Sequence, residues 1–252
     1  MSTSQAMNLL TNDEGLRFRS YFLRFVSPLY YLQEGNRRAT VKANGTCFFM
    51  QGPSSFFGVT ARHVISDAPK GDLPILVGNL KMDVRDRDIS GSSGLDVFTF
   101  SISGNEIHKL GKTPFGYEDL APADLGGFVM PCGFPGNLRS RLGPYETDFV
   151  ATDYSGVITS VGDDTATIRF ASDDELKRFN TKIGSNGNWF KPGGMSGGPV
   201  FRVKSEYGAL TSKLVGVISQ GHDFQTGRQM VFTQSSVISS SGRVAHARNK
   251  RF

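Results

Sequence analysis

The chain has 252 residues, enough for one large β domain or two small ones around a substantial core. With 38% hydrophobic, 11% aromatic and 20% charged residues it excludes a largely disordered chain, and 30 Gly with 11 Pro favour short strands and tight turns over long helices. The formal charge of +5 would suit nucleic acid if spread over one face, but Arg243, Arg248, Lys250 and Arg251 concentrate it near the end, so a solvated basic tail is expected over 236–252 and a nucleic-acid partner is not.

The first ten residues lack a basic segment followed by an apolar core, and no apolar run approaches the roughly 18 residues of a membrane span. The sequence therefore predicts a soluble, cytoplasmic protein with no membrane partner. Cys47 and Cys132 each sit in an apolar stretch, as buried thiols do; a bridge between them stays open, but the pattern is not that of a disulfide-stapled domain. Asn44-Gly-Thr46 matches a glycosylation sequon, which has no meaning without secretion.

In chain order, Phe18, Tyr21, Phe22 and Phe25 fall three or four apart, which predicts an amphipathic helix within 14–33, interrupted by Pro28. Residues 1–37 are thus read as an N-terminal helical extension packed on the domain. From Arg38 the pattern turns to β: runs at 39–43, 46–50 and 55–60, separated by Asn-Gly and Gly-Pro turns, continue at 73–77, 81–85 and 97–102. These strands, about six, suffice for a first barrel over about 38–110.

Residues 111–125 read as a connector. A second series follows over about 126–235: runs at 128–132 and 149–152, a hairpin of 155–161 and 165–170 across Gly162-Asp-Asp164, and strands at 199–203, 213–219 and 229–234. Ser172-Asp-Asp-Glu175 is a capping box that opens a short helix through Phe179. The expected class is all-β: two six-stranded antiparallel barrels with an N-terminal helix and short additional helices.

Chemistry concentrates in Gly193-Gly-Met-Ser-Gly-Gly-Pro-Val-Phe201. A nucleophilic serine needs an exposed hydroxyl, a neighbouring base and backbone N–H groups aimed at a developing oxyanion. Glycines around Ser196 meet these needs, although the same run also reads as a turn entering a strand. Upstream, His63 follows an apolar strand and Asp96 opens an alternating one, each unremarkable alone. Together they put base and orienting acid in the first half and nucleophile in the second, with a site at the seam.

On these residues the chain resembles the trypsin-like serine peptidases, particularly the bacterial disulfide-free branch that includes the HtrA/Deg proteases. The matching segments are Thr60-Ala-Arg-His63, Asp96-Val-Phe-Thr-Phe100, Gly194-Met-Ser-Gly-Gly-Pro199 and Leu214-Val-Gly-Val-Ile-Ser-Gln-Gly221, in the family's order over roughly 38–235; Gly133-Phe-Pro-Gly136 resembles a family turn of the second barrel. The resemblance implies a chymotrypsin-like double barrel and a serine endopeptidase acting through an acyl-enzyme, with Ser196 as nucleophile, His63 as base and Asp96 as its orienting partner. It also implies an oxyanion hole from the N–H groups of Gly194 and Ser196, no metal and no cofactor. Ser219 is expected beside Asp96, Gln220 and Gly221 along the substrate, and Phe190 and Met230 in the first specificity pocket, next to Trp189 or Lys191.

Three departures matter. Met195 stands where family members activated by cleavage often carry Asp, so activation by N-terminal trimming is not expected. Val64 replaces a cysteine, in keeping with a reducing compartment, and too few residues follow 235 for a PDZ domain. The expected partner is a protein or peptide substrate, with restraint left to substrate choice, a regulatory protein partner or a malleable loop near 180–195; a bacterial stress or host-defence role follows from the family alone. The alternative is a catalytically silent pseudoprotease that binds extended peptides or a protein partner.

Overall fold

The computed structural model describes residues 20–34, 39–68, 75–141, 147–170, 192–206, 209–224 and 227–245. Two large, mainly antiparallel sheets hold most of the described strands, which alternate between an interior face and a shared seam. The first sheet contains β1 (Val26–Glu34), β2 (Ala39–Gln51), β3 (Phe56–Thr60), β4 (Ile75–Val77), β5 (Asp88–Ser92) and β6 (Val97–Ser101) in the order β4-β1-β2-β3-β6-β5. It curls without pairing β4 to β5, and β7 (Phe115–Gly116) adds a short parallel pairing to β2.

The second sheet closes. It comprises β8 (Phe128–Gly133), β12 (Gly156–Val161), β13 (Thr165–Phe170), β14 (Pro199–Glu206), β15 (Ala209–Phe224) and β16 (Gly227–Gln234), with β8–β14 pairing completing a six-stranded barrel. The intervening β9 (Ser140–Arg141) and β10 (Thr147–Asp148) form a separate pair, and β11 (Thr152–Asp153) joins β8. The all-β double-barrel architecture read from the strand pattern is therefore the architecture found.

Period-two alternation explains why both sheets are apolar on two sides. On β2, Cys47 and Phe49 enter the first barrel's core with Leu29, Phe98 and Phe100, whereas Phe48 and Met50 face the seam. On β8, Val129 joins the second barrel's core with Ile168, Val200 and Phe232, whereas Met130 and Cys132 face the seam. The two cysteines thus lie in different clusters, both buried and with no bridge between them. Across the seam Phe22 stacks on Phe201 with centroids 4.3 Å apart, and on the first-sheet side Phe25 meets Phe115 edge-on at 5.1 Å.

Several local expectations are corrected. A helix ends at Phe22 and β1 begins at Val26, running through Pro28, so residues 26–34 belong to the first barrel and not to a helical extension. The aromatic spacing that suggests helix serves the seam instead, through Tyr21, Phe22 and Phe25. The barrel's pairing accordingly reaches from Val26 to Gly116, past the expected 38–110. β2 passes unbroken through Asn44-Gly45, where a turn is expected, and the irregularity in its pairing falls instead between Tyr31 and Leu32 of β1. Residues 84–87 form a 3-10 turn before β5, in place of a strand at 81–85.

A short helix absent from the sequence reading, α2 (Gly104–Lys109), is set by a full capping box between Ser103 and Glu106. The expected helix at 172–179 lies outside the described residues. The expected solvated tail is corrected as far as residue 245: Val237, Ile238 and Val244 are buried in the seam cluster, Thr99 Oγ1 donates to Gly242 O at 2.6 Å, and Val244 N–H donates to Ser90 Oγ at 3.1 Å. Three apolar residues within this basic stretch outweigh its charge by burying surface. No described helix is long and apolar enough to cross a membrane.

Candidate active site

His63 sits in α1 (Arg62–Ser66), a helix of one turn that starts where β3 ends. So short a helix has no stability of its own, and its first N–H groups need acceptors. Its N-cap, Ala61, has no side-chain acceptor; Asp96 supplies what is missing. Arg62 N–H donates to Asp96 O at 3.2 Å and His63 N–H to Asp96 Oδ1 at 2.9 Å, so the residue preceding β6 caps the helix from a neighbouring strand. Asp96 itself has φ +51, a left-handed conformation that Asp tolerates better than most side chains.

The second carboxylate oxygen, Asp96 Oδ2, lies 2.7 Å from His63 Nδ1. A carboxylate only accepts, so the ring proton is on Nδ1 and Nε2 keeps its lone pair. The hydrogen bond to Asp96 raises the His63 pKa above its ordinary value; partial burial works against the cation, and the charges of Asp96 and Asp67 add to the increase. Beside it the Arg62 guanidinium lies over the Phe98 ring at 5.4 Å and approaches Asp88 at 3.9 Å.

The loop that carries Ser196 is held against this corner by close backbone packing. Gly197, at φ +85, is so near that a Cβ would stand 2.2 Å from Thr46 O and Thr60 Oγ1 and 2.6 Å from Ala61 N, two residues before His63. A Cβ on Gly45 would strike Val64 Cγ1 at 2.6 Å and Ser196 O at 3.2 Å. Ser196, half-buried, is thereby brought to the end of β3. Among the described residues no hydrogen bond joins the Ser196 hydroxyl to the His63 ring; in ligand-free sites such bonds commonly tighten only when substrate binds.

Within the loop, Met195 N–H donates to Pro192 O and Gly198 N–H to Met195 O, each at 2.9 Å. Gly197 N–H donates to Ile218 O, and Ile218 N–H to Gly198 O, each at 2.8 Å, stitching the loop to β15. Met195 is fully buried in the second barrel's core, an apolar anchor contributing about 1.5–3 kcal/mol. Among the described residues, the N–H groups of Gly194 and Ser196 donate to no backbone acceptor.

The other anticipated residues fall differently. Ser219 Oγ donates to Val231 O at 3.1 Å, across the irregularity between Ile218 and Gln220, so its hydroxyl is engaged on β16 and not by Asp96. Thr233 is the residue of the second barrel that reaches the Asp96 corner, donating through Oγ1 to Leu95 O at 2.5 Å. Its signal in the sequence was only a Thr in an apolar strand. Met230 is fully buried with Ile168 and Phe232 in the second barrel's core, which removes it from a pocket wall; alternation along β16 turns it inward. Gln220 is exposed on β15 and Gly221 follows it there, whereas Trp189, Phe190 and Lys191 lie outside the described residues.

No family model matches the chain, and no curated protein matches it. Among solved structures, a similar chain is described as "Aromatic interactions drive the coupled folding and binding of the intrinsically disordered Sesbania mosaic virus VPg protein". The two share 15% identity over 82% of this chain and 85% of that one, at a TM-score of 0.47, too low to carry any inference about the site.

Proposed function

We propose that the protein is a serine endopeptidase of the chymotrypsin-like double-barrel type, taking protein or peptide substrates. The observation that carries this reading is the Asp96 carboxylate on His63 Nδ1, with the Ser196 loop packed against the strand end that bears His63. In the proposed reaction Ser196 Oγ attacks the scissile carbonyl carbon while His63 Nε2 takes its proton. The carbonyl oxygen gains the electron pair and is held by Gly194 and Ser196 N–H. Collapse breaks the C–N bond, the amine leaves with the proton from His63, and water repeats the sequence on the acyl-enzyme. Asp96 stabilises the imidazolium without taking the proton.

An alkyl phosphonofluoridate tests the reading directly: Ser196 Oγ bonds to phosphorus, fluoride leaves, and the hydroxyl proton passes to His63. Covalent mass addition at Ser196, abolished in Ser196→Ala, is expected; an unlabelled, folded wild-type protein would overturn the reading. The alternative is a double barrel that binds extended peptides without cutting them, and absence of labelling is what that alternative requires.

A further inference from the structure

Four consecutive carbonyls, from Gly193 to Ser196, lie in the nucleophile loop, and each has a fixed partner. Met195 O is held within the loop by Gly198 N–H. Gly193 O accepts from Gly136 N–H at 2.7 Å, at the turn after β8. The other two belong to one residue of the first barrel: Thr46 Oγ1 donates to Gly194 O at 2.9 Å, and Thr46 N–H donates to Ser196 O at 2.8 Å.

Thr46 is fully buried and uses all its polar groups. Its hydroxyl, having given its proton to Gly194 O, accepts from Phe134 N–H at 3.0 Å, and its own carbonyl accepts from Thr60 Oγ1 at 2.7 Å. One side chain therefore joins β2, the turn after β8 and the nucleophile loop, the three segments that meet at the seam. Gly133 shows how tight the junction is: a Cβ there would stand 2.8 Å from Thr46 Oγ1 and 3.1 Å from the Met195 Cα.

A trans peptide is planar, so fixing a carbonyl in one direction points the N–H of the same unit in the opposite one. Holding Gly193 O on Gly136 aims Gly194 N–H away from that turn, and holding Met195 O on Gly198 aims Ser196 N–H likewise. The intervening peptide is the hinge about which these two donors could turn relative to each other. Its N–H, on Met195, donates to Pro192 O, and its carbonyl, Gly194 O, is the one that Thr46 Oγ1 fixes, so Thr46 supplies the hold from the first barrel on a glycine at φ +97.

We infer that the Thr46 hydroxyl is a positioning residue for the oxyanion hole, with Gly136 N–H as its second clamp. This inference rests on the serine-peptidase reading of the same site. The stretch Asn44-Gly-Thr46, matched by chance to a glycosylation sequon, has its structural meaning here: Gly45 admits Ser196 O and Thr46 holds it.

The test is the kinetics of phosphonofluoridate labelling, resolved into reversible affinity and the first-order rate of phosphorus–oxygen bond formation, in wild type, Thr46→Val, Thr46→Ser and Gly136→Pro. Thr46→Val keeps shape and removes the hydroxyl; Gly136→Pro removes the N–H that holds Gly193 O and adds a ring, at the first position of a 3-10 turn whose preceding Pro135 (φ −59, ψ 132) already has the conformation that a following proline requires. The bond-forming rate is expected to fall about tenfold or more in Thr46→Val and Gly136→Pro, with affinity unchanged, and to recover in Thr46→Ser, since misaimed oxyanion donors cost up to about 10²–10³ in rate. Thermal unfolding of each variant separates misfolding from misaiming, and if Thr46→Val does not fold, Gly136→Pro and Thr46→Ser decide the matter. Wild-type rates in folded Thr46→Val or in Gly136→Pro would overturn the inference, as would a Thr46→Ser rate no better than that of Thr46→Val. A wild-type protein that takes up no probe would instead overturn the peptidase reading, and the clamp with it.

Discussion

Asp96 receives two hydrogen bonds from His63, one from its backbone N–H at 2.9 Å and one from its ring at 2.7 Å, so a single carboxylate fixes both the start of a helix and the tautomer of its imidazole. Asp96→Asn separates these tasks. Asn tolerates a left-handed φ and its amide oxygen can still cap the helix, but it cannot serve both His63 donors as a carboxylate does or stabilise an imidazolium. Labelling of Ser196 is expected to slow by about 10⁴-fold with little change in unfolding temperature. A labelling rate near wild type would remove Asp96 from the proposed mechanism.

The raised pKa of His63 sets the direction of two pH effects. Reactivity needs the neutral ring, so the labelling rate should rise with pH around a midpoint above the ordinary imidazole value of about 6.5, and Asp96→Asn should move that midpoint down. Stability runs the other way. The folded state binds the proton more tightly than the unfolded chain, so the His63–Asp96 contribution is complete below the unfolded pKa and is lost as pH climbs through the folded one. Titration of the His63 ring protons by NMR, compared in the two proteins, checks both signs.

Gly197→Ala places a methyl against Thr46 O, Thr60 Oγ1 and Ala61 N, all backbone or buried, at a φ that L-residues avoid. Left-handed strain of about 1–2 kcal/mol and overpacking of about 1–3 kcal/mol predict a loss of about 2–5 kcal/mol in unfolding free energy, together with loss of labelling. Urea denaturation measures the first. An alanine variant of wild-type stability would mean that the loop does not pack on β3 as described.

Phe201 lies at the centre of the aromatic seam, in contact with Phe22, Phe25 and Phe115. Phe201→Ala should cost about 3–5 kcal/mol, since these rings come from two separate segments that cannot both collapse into the space left. Chemical denaturation of the two proteins, analysed with a common slope, gives the number; a cost below about 1 kcal/mol would show that the seam repacks.

Strand periodicity was enough to read the double barrel, because the β-runs alternate between two apolar faces and Gly and Pro mark most of their ends. The short segments around His63, Asp96 and Ser196 pointed to one corner, where the structure pairs His63 with Asp96 and packs the Ser196 loop close by. What failed was local pattern under tertiary control. Phe22 and Phe25 have helical spacing yet serve a seam between barrels, and Val237, Ile238 and Val244 are hidden among basic residues although they are buried. Met230 followed from the family's pocket and not from its strand, whose alternation turns it into the core. Thr46 gave no signal at all: a threonine in a β-run looks like a strand former, and only the return of the chain 148 residues later gives its hydroxyl an acceptor in Gly194.

The return of the C-terminal segment has a consequence for how the molecule is made. Thr99 in β6 waits for Gly242, 143 residues downstream, and Leu95 O, next to Asp96, waits for Thr233, 138 residues downstream. During synthesis the half that carries the histidine and the aspartate emerges before the second barrel and lacks these anchors until Thr233 and Gly242 have left the ribosome. A nascent or truncated product ending within the second barrel therefore holds the proposed base and its orienting acid on an unfinished scaffold, and the proposed chemistry waits for the strand and strap that complete it.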